Sequence, residues 1–355
     1  MRALPERGPV QREAAKLGAT LADRSLRDAA REVGAFGLFD PAELSGPELA
    51  QAWEGLGETA DAGLCFALGA HALAVVAPIA AHATDALRAR LLEPLRRGAR
   101  LGAHAASEAE AGSDTMAMAA TATPEAGGYR LSGSKLWVTN GADADVFVVF
   151  ARAPEGVTGF VVERGAEGLT VGAPMEKMGL ARASLTSLYL EGCRVEASAI
   201  LGEPGGGAKV FHTAMLHERA LILGPAVGVM RAQLERALKH ARTRRQFGRP
   251  IGKNQLVAAR VVEMYERYVL ARMLLERAAT ALADGAIDAP LACLTKLRLS
   301  EWALEQHLDA IRLHGGTGYL EETGLPSHLR DAVGGVLYSG TSDMQRVILA
   351  AHLGL

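Results

Sequence analysis

The chain has few aromatic residues and no excess of charge of either sign. Phe, Trp and Tyr make up 5% of the 355 residues, which is little for a protein that binds single strands by stacking bases on aromatic rings. The 38 Lys and Arg residues and the 40 Asp and Glu residues leave a net charge of −2. No overall positive field therefore attracts a polyanion, and we expect no nucleic-acid partner.

Cysteine is also scarce. Cys65, Cys193 and Cys293 lie far apart in the sequence. An odd number without a CxxC pair argues against a disulfide scaffold and a thiolate zinc site. We expect no bound metal.

A signal peptide and a membrane span are not expected either. Residues 1–10 contain charged side chains and no apolar segment of the kind that a signal peptide requires. Residues 62–84 carry no Lys, Arg, Asp or Glu, and a stretch of this length would cross a bilayer. Because it contains glycines, histidines and Pro78 and has acidic flanks, we interpret it as a buried core helix, or as two helices broken near Pro78. The expected location is the cytoplasm.

Three regions differ in their patterning. Up to residue 102, Ala-, Leu- and Arg-rich helical segments predominate, and residues 103–207 contain short apolar or alternating runs separated by glycine-containing turns. From residue 208 apolar residues again recur every three or four positions, as in bundle helices. This predicts an α+β multidomain protein with an N-terminal helical domain (1–102), a central antiparallel β domain (103–207) and a C-terminal four-helix bundle (208–355).

Common catalytic motifs are absent or weak. No GxGxxG follows a predicted strand, and the glycine-rich segment 205–209 lacks the Lys-Ser/Thr pair of a phosphate-binding loop. Ser132 and Lys135 match the SxxK pattern of serine acylases, but they lie in a predicted strand, whereas that motif begins a helix.

A series of ordered motifs resembles the acyl-CoA dehydrogenase family from about residue 101 to the end of the chain. The matching segments begin at residues 111, 137, 203, 244, 314, 329 and 338 and read AGSD, WVTNGADAD, EPGGG, RRQFG, HGGTGY, LRD and YSGTSDMQ. The resemblance implies the family's fold and FAD as cofactor, bound without a dinucleotide-binding glycine motif.

The resemblance also implies which residues contact FAD. Ala106 and Ser107 correspond to positions that hydrogen-bond the isoalloxazine, Trp137 to one beside the ring, and Thr139 to one near flavin N5. Arg244, Gln246 and Phe247 correspond to a segment that reaches the FAD of a neighbouring subunit. Arg312, Gly315 and Gly316 correspond to pyrophosphate and adenine contacts, and Thr341 and Asp343 to contacts near the flavin phosphates. Gln255 is a further expected FAD contact. The family usually has Gln where Arg312 stands. Because the segment with Arg244 and Phe247 reaches the FAD of a second subunit, a homodimer or homotetramer is expected.

The catalytic base is expected at an unusual place for the family. Most members carry a glutamate where this chain has Ser339, and serine cannot act as a base at neutral pH. Glu218 corresponds to the position from which isovaleryl-CoA and long-chain acyl-CoA dehydrogenases, and flavoproteins that oxidise prolyl groups on carrier proteins, supply their base. We interpret Glu218 as the base that removes an α-proton and the Ser339 N–H as a donor to the thioester oxygen.

The resemblance implies α,β-dehydrogenation of an acyl thioester, with hydride passing to FAD N5, but leaves the carrier open between CoA and an acyl-carrier protein. Ser113, Arg219 and Gly340 are the expected substrate contacts, and an electron-transferring flavoprotein is the expected acceptor. A short loop at residues 40–44 and an arginine-rich stretch favour the carrier protein, through charge complementarity with an acidic partner. The arginines of this stretch are Arg88, Arg90, Arg96, Arg97 and Arg100; such clusters are more often solvated helix surfaces.

The sequence is also compatible with three other functions. The first is an oxygen-using flavoenzyme, an oxidase or monooxygenase of the same fold. The second is a catalytically silent member of the family that acts as a binding subunit. The third is a serine acylase that uses Ser132 and contains no flavin.

Overall fold

The computed structural model describes residues 4–39 and 43–355; most of the short loop at residues 40–44 lies outside them. Within these residues the N-terminal region is helical, and the side chains of Ser25, Asp61 and Thr84 cap helix N-termini by accepting backbone N–H groups. The helices are α1 (Pro9–Thr20), α2 (Leu26–Ala35), α3 (Gly46–Thr59), α4 (Ala62–His71), α5 (Ala77–His82) and α6 (Asp85–Arg96).

The long apolar stretch forms one continuous helical segment. A π-helical turn, Ala72–Val76, joins α4 to α5, and Pro78 lies in the first turn of α5, where the missing N–H of proline is tolerated. Ala62–His82 is long and apolar enough to cross a membrane, but 83% of its most apolar window is buried inside the protein. Of the two interpretations of this stretch, the single buried core helix is therefore correct.

The middle of the chain forms a mixed sheet. Its strands are β1 (Gly102–Ala105), β2 (Thr121–Glu125), β3 (Gly128–Thr139), β4 (Val146–Ala153), β5 (Gly156–Glu163), β6 (Leu169–Val171), β7 (Leu185–Glu196) and β8 (Ile200–Leu201). The strand order is β6-β7-β3-β2-β4-β5-β8, and β1 pairs with β4. The sheet is not purely antiparallel as predicted, because β4 pairs in parallel with both β1 and β2; alternation along single strands does not encode this pairing.

An irregularity in β3 exposes a tryptophan. The register between β3 and β7 shifts between Lys135 and Val138, as at a β-bulge, and bulges redirect side chains. Trp137 lies in this interval with φ +56 and is 52% exposed. The bulge thus presents an indole ring outside the sheet.

The C-terminal region is helical, apart from a small hairpin of β9 (Arg245–Gln246) and β10 (Arg249–Pro250). Its helices are α7 (Gly207–Leu221), α8 (Gly224–Thr243), α9 (Gln255–Ala283), α10 (Ala289–His314), α11 (Leu325–Gly335) and α12 (Ser342–His352). One apolar core joins this bundle to the N-terminal helices, with Trp53, Leu56, Leu234, Tyr268 and Leu275 among its buried members. The division into domains at residues 102 and 207 stays a prediction, since the first and last segments share this core.

Candidate active site

The expected base and the serine that replaces the usual glutamate meet in the fold. Glu218, near the end of α7, is only 7% exposed, and the Ser339 hydroxyl donates to its Oε2 at 3.0 Å. Burial raises the pKa of Glu218 to about 7, against the opposing effects of the Ser339 hydrogen bond and the charges of Arg219 and Lys296. A carboxylate that titrates near neutrality suits a general base.

The backbone around Ser339 offers free donors. Ser339 and Gly340 both have positive φ angles, +54 and +85, and the first value is uncommon for a residue with a side chain. Within the described residues, no acceptor pairs with the N–H of either residue. Two unpaired amides beside a carboxylate form a donor site suited to an oxygen that gains negative charge.

Three side chains from different helices hold the carbonyls of this turn. Arg219 Nε and Gln345 Nε2 each donate to the Ser339 carbonyl at 3.2 Å. Gln345 Nε2 also donates to the Gly340 carbonyl at 2.8 Å, and Lys296 Nζ donates to the same oxygen at 2.6 Å. Arg219, expected to contact substrate, thus supports the turn in this structure.

A buried ion pair supports the expected flavin-binding segment. Lys135 Nζ lies 2.6 Å from Glu108 Oε1 and donates to the Ala106 carbonyl at 3.1 Å, while the amides of Ala119 and Ala120 donate to Glu108. Burial alone would raise the pKa of Glu108, but these hydrogen bonds outweigh it and lower that pKa.

The same segment lies beside Trp137. The Leu136 amide donates to the Ser107 carbonyl at 2.9 Å, which places Ala106 and Ser107 next to the bulge. A Cβ added at Gly112 would lie 3.9 Å from the Trp137 ring. Thr139 ends β3, paired with Leu185. The structure therefore brings Ala106 and Ser107 close to Trp137, while Thr139 lies two residues further along β3.

A second group of expected cofactor residues lies at one end of the bundle. The hairpin with Arg244, Gln246 and Phe247 follows α8, whose His240 stacks on His314 of α10 with ring centroids 4.3 Å apart. His314 is followed by the Gly315–Gly316 turn, where an added Cβ would meet nothing within 4 Å. The expected cofactor residues of this group, including Gln255 and Arg312, are exposed, and Phe247 is 94% exposed.

The remaining expected residues have structural partners or are exposed. Thr341 caps α12 by accepting the Met344 amide at 3.2 Å, and Asp343 pairs with Arg346 at 3.2 Å. Ser113 is exposed in the loop after Gly112. Their expected roles toward FAD and substrate stay predictions.

The residues of two weaker sequence patterns make structural contacts instead. Lys135 of the SxxK match is bonded to Glu108 and Ala106, and Ser132 Oγ accepts the Gly192 amide, so no Ser–Lys catalytic pair forms. Most of the arginine-rich stretch is neutralised by carboxylates of this chain. The pairs are Arg88 with Asp85, Arg90 and Arg100 with Glu163, and Arg97 with Glu93.

Sequence reasoning did not single out Lys296, and it considered Lys135 only as part of the SxxK match. Both side chains are buried, and a lone Lys at a position that packing makes inward-facing is a signal for a buried charge. Among the described residues, no group of three or more His, Cys, Asp and Glu side chains is arranged to hold a metal ion.

An α–β–α fold that has a buried carboxylate beside unpaired amides, and an exposed indole at a bulge of its sheet, defines a class of protein. It suits enzymes that remove a proton next to a carbonyl and oxidise the carbon skeleton with an aromatic cofactor.

Comparison with known proteins identifies the family. Residues 103–193 match the acyl-CoA dehydrogenase middle domain and residues 205–354 the C-terminal domain. The chain is 42% identical, over 91% of its length and 88% of the relative's, to an L-prolyl-[peptidyl-carrier protein] dehydrogenase of Pseudomonas fluorescens.

Two solved structures cover nearly the whole chain. The prolyl acyl carrier protein oxidase AnaB has a TM-score of 0.94 at 37% identity, covering 98% of each chain. PigA with FAD and proline has a TM-score of 0.93 at 31% identity, covering 100% of each chain.

This chain belongs to the acyl-CoA dehydrogenase family. The predicted fold class, the assignment as a flavoprotein oxidoreductase and FAD as the family's cofactor are thereby confirmed. The residues present fit FAD, because the exposed indole at the β3 bulge offers a flat apolar surface and the open Gly315–Gly316 turn allows close backbone approach. The serine-acylase alternative is wrong.

Proposed function

We propose that this protein is an FAD-dependent dehydrogenase of a small acyl thioester carried on a carrier protein, with prolyl as the acyl group. The observation that carries the proposal is the buried Glu218 carboxylate, hydrogen-bonded by Ser339 and adjacent to unpaired amides. The acyl group and its carrier are proposed from the relatives that act on prolyl carrier-protein thioesters.

The side chains of this site account for proton removal. The thioester carbonyl accepts hydrogen bonds from the Ser339 and Gly340 amides, which stabilises the negative charge that develops when the α-proton leaves. Glu218 accepts that proton. Within the described residues its Oε1 accepts no hydrogen bond, which leaves it available to the substrate. FAD, when bound, supplies the acceptor for the hydride that leaves the β-carbon.

Flavin reduction under anaerobic conditions tests the substrate. The purified FAD-loaded protein is mixed with prolyl-carrier protein, prolyl-CoA and isovaleryl-CoA, and bleaching of the visible flavin absorbance is followed. We expect rapid bleaching by prolyl-carrier protein and slower or no bleaching by the CoA esters. Bleaching by isovaleryl-CoA alone would refute the proposed acyl group, and no bleaching by any thioester would favour a catalytically silent family member.

Two matched variants test the base. Glu218→Gln removes the carboxylate, and we expect flavin reduction to slow by at least about 100-fold with FAD still bound. Glu203→Gln changes an exposed carboxylate in the turn before the same helix and should leave the rate unchanged. A Glu218→Gln enzyme that reduces its flavin at the wild-type rate would show that the base is elsewhere.

An oxidase is the second candidate function, because AnaB is described as an oxidase. The reduced enzyme is mixed with air-saturated buffer, with and without an electron-transferring flavoprotein. Rapid reoxidation by oxygen alone supports the oxidase; slow reoxidation that the flavoprotein accelerates supports the dehydrogenase with that partner.

The hairpin tip supports a homodimer or homotetramer. Phe247 at 94% exposure leaves a large apolar ring uncovered in one chain, and aromatic side chains are enriched at subunit interfaces. We propose that a second subunit's FAD covers this ring. Light scattering of the FAD-loaded protein should give a mass of two or four chains, and a monomer with tightly bound FAD would contradict this.

A further inference from the structure

A buried lysine that does not itself accept or donate the transferred proton lies in the same turn region as the base. Lys296, in α10, is completely buried, and within the described residues no carboxylate oxygen lies within 4.0 Å of its ammonium group. Its Nζ donates to the Gly340 carbonyl at 2.6 Å and lies 5.9 Å from the centre of the Tyr338 ring. A buried ammonium without a contacting carboxylate is unfavourable, so a lysine at this position costs stability that a functional role would offset.

The contact of Lys296 helps to hold the turn that carries the donor site. A trans peptide is planar, so a held carbonyl also fixes the N–H on the opposite side of the same peptide. Arg219 and Gln345 hold the peptide before Gly340, and Lys296 and Gln345 hold the peptide after it. Both peptides that flank Gly340 are therefore held, which keeps Gly340 in its positive-φ conformation.

Lys296 also supplies charge to the base. Three groups lower the pKa of Glu218 against the effect of burial: Arg219 on its own helix, Lys296 on α10, and the Ser339 hydroxyl. Tyr338 and Cys293 lie near these groups. Both are neutral near pH 7, because burial raises their pKa values.

The charged or ionisable groups that change the pKa of Lys296 are Arg219, Glu218, Cys293 and Glu301. Glu301 is partly exposed and pairs with Arg346, which leaves Glu218 as the buried carboxylate that compensates the lysine.

Burial and the charge of Arg219 lower the pKa of Lys296 to about 7, while Glu218 partly opposes them. The two buried groups therefore titrate in the same range, and loss of charge on one disfavours charge on the other.

We propose that Lys296 is a positioning residue of the reaction, which fixes the Gly340 carbonyl and holds a positive charge beside Glu218 so that the carboxylate stays ionised. This deepens the proposed function, since it rests on Glu218 being the base. The prediction is that charge and hydrogen bonding at Lys296 have separable effects.

Three variants separate the two effects. Lys296→Met removes the donor and the charge, Lys296→Gln keeps a donor without the charge, and Gln345→Leu removes hydrogen bonds from the same turn without changing charge. Flavin reduction by prolyl-carrier protein is measured against pH. We expect both Lys296 variants to raise the apparent pKa of the base by about one unit or more, and Gln345→Leu to lower the high-pH rate without this shift.

A second measurement follows the ionisation of Glu218 without substrate. The infrared C=O band of the protonated Glu218 carboxyl, identified as the band missing in Glu218→Gln, is titrated in the FAD-loaded wild type and variants. Its midpoint should rise in Lys296→Met and Lys296→Gln. Wild-type midpoints in both variants would overturn the inference. If Lys296→Met does not fold, as judged by its unfolding temperature, Lys296→Gln decides.

The two measurements also separate the inference from the proposed function. If the infrared midpoint shifts while the kinetic profile does not, Lys296 sets the ionisation of Glu218 but Glu218 is not the base. If neither shifts and Glu218→Gln is inactive, the base assignment stands and the inference about Lys296 fails.

Discussion

The hydrogen bond from Ser339 to Glu218 gives the sharpest prediction. This bond favours the ionised carboxylate, so Ser339→Ala should raise the pKa of Glu218 above its value of about 7. A hydrogen bond to a charged group contributes about 1.5–3 kcal/mol and one pKa unit corresponds to about 1.4 kcal/mol, so we expect an increase of roughly one to two units. Since the ionised form is the active base, flavin reduction should fall roughly five- to fiftyfold at pH 7 and recover at high pH.

Stopped-flow flavin reduction against pH measures this shift, and Ser339→Gly is the matched control. Ser339 has a φ of +54, which alanine would keep as strained as serine, whereas glycine relieves that strain. If the hydroxyl causes the effect, both variants shift the profile equally. A shift in the alanine variant alone would show that backbone strain is responsible, and a wild-type profile in both would refute the role of the hydrogen bond.

Other parts of the structure give further predictions. Lys135→Met leaves Glu108 buried without its partner and should lower the free energy of unfolding by about 3–5 kcal/mol; an unchanged urea midpoint would contradict this. Trp137→Ala should barely affect stability, because the side chain is half exposed, but should weaken FAD binding about tenfold, as measured by equilibrium dialysis; unchanged affinity would remove the indole from the cofactor site. Phe247→Ala should leave the single chain equally stable and weaken assembly in light scattering; an intact oligomer would count against the hairpin as a subunit contact. Burial lowers the pKa of His71 to about 4 and that of His307 to about 3, so the unfolded chain binds more protons and stability should fall as pH drops from about 6.5 toward 4. Urea unfolding at several pH values checks this, and His71→Gln should weaken the dependence.

Much of the fold could be predicted because the patterns are local. Apolar residues at three- and four-residue intervals predicted α8 and α9, and alternating runs between glycine turns predicted most strands of the sheet. The parallel pairing of β4 could not be predicted, since it depends on which strands become neighbours. The register shift that exposes Trp137 also depends on the partner strand β7.

The active site also has a part that the sequence predicted and a part that only the tertiary structure revealed. Resemblance to a family pointed to Glu218 and Ser339, but not to the hydrogen bond between them. Lys296 was missed, and Lys135 was considered only as part of the SxxK pattern, because nothing in the adjacent sequence identifies their partners.

The sequence alone determined the helical and strand segments, the family and the residue types available for chemistry, because these depend on local patterns and on motifs read in order. The tertiary structure decided which of those residues work together. The Ser339–Glu218 bond joins residues 121 positions apart, the Lys296–Gly340 bond 44, and the Lys135–Glu108 pair 27. Burial then sets the pKa values of these groups, because the dielectric surroundings of a side chain exist only after distant segments have packed around it.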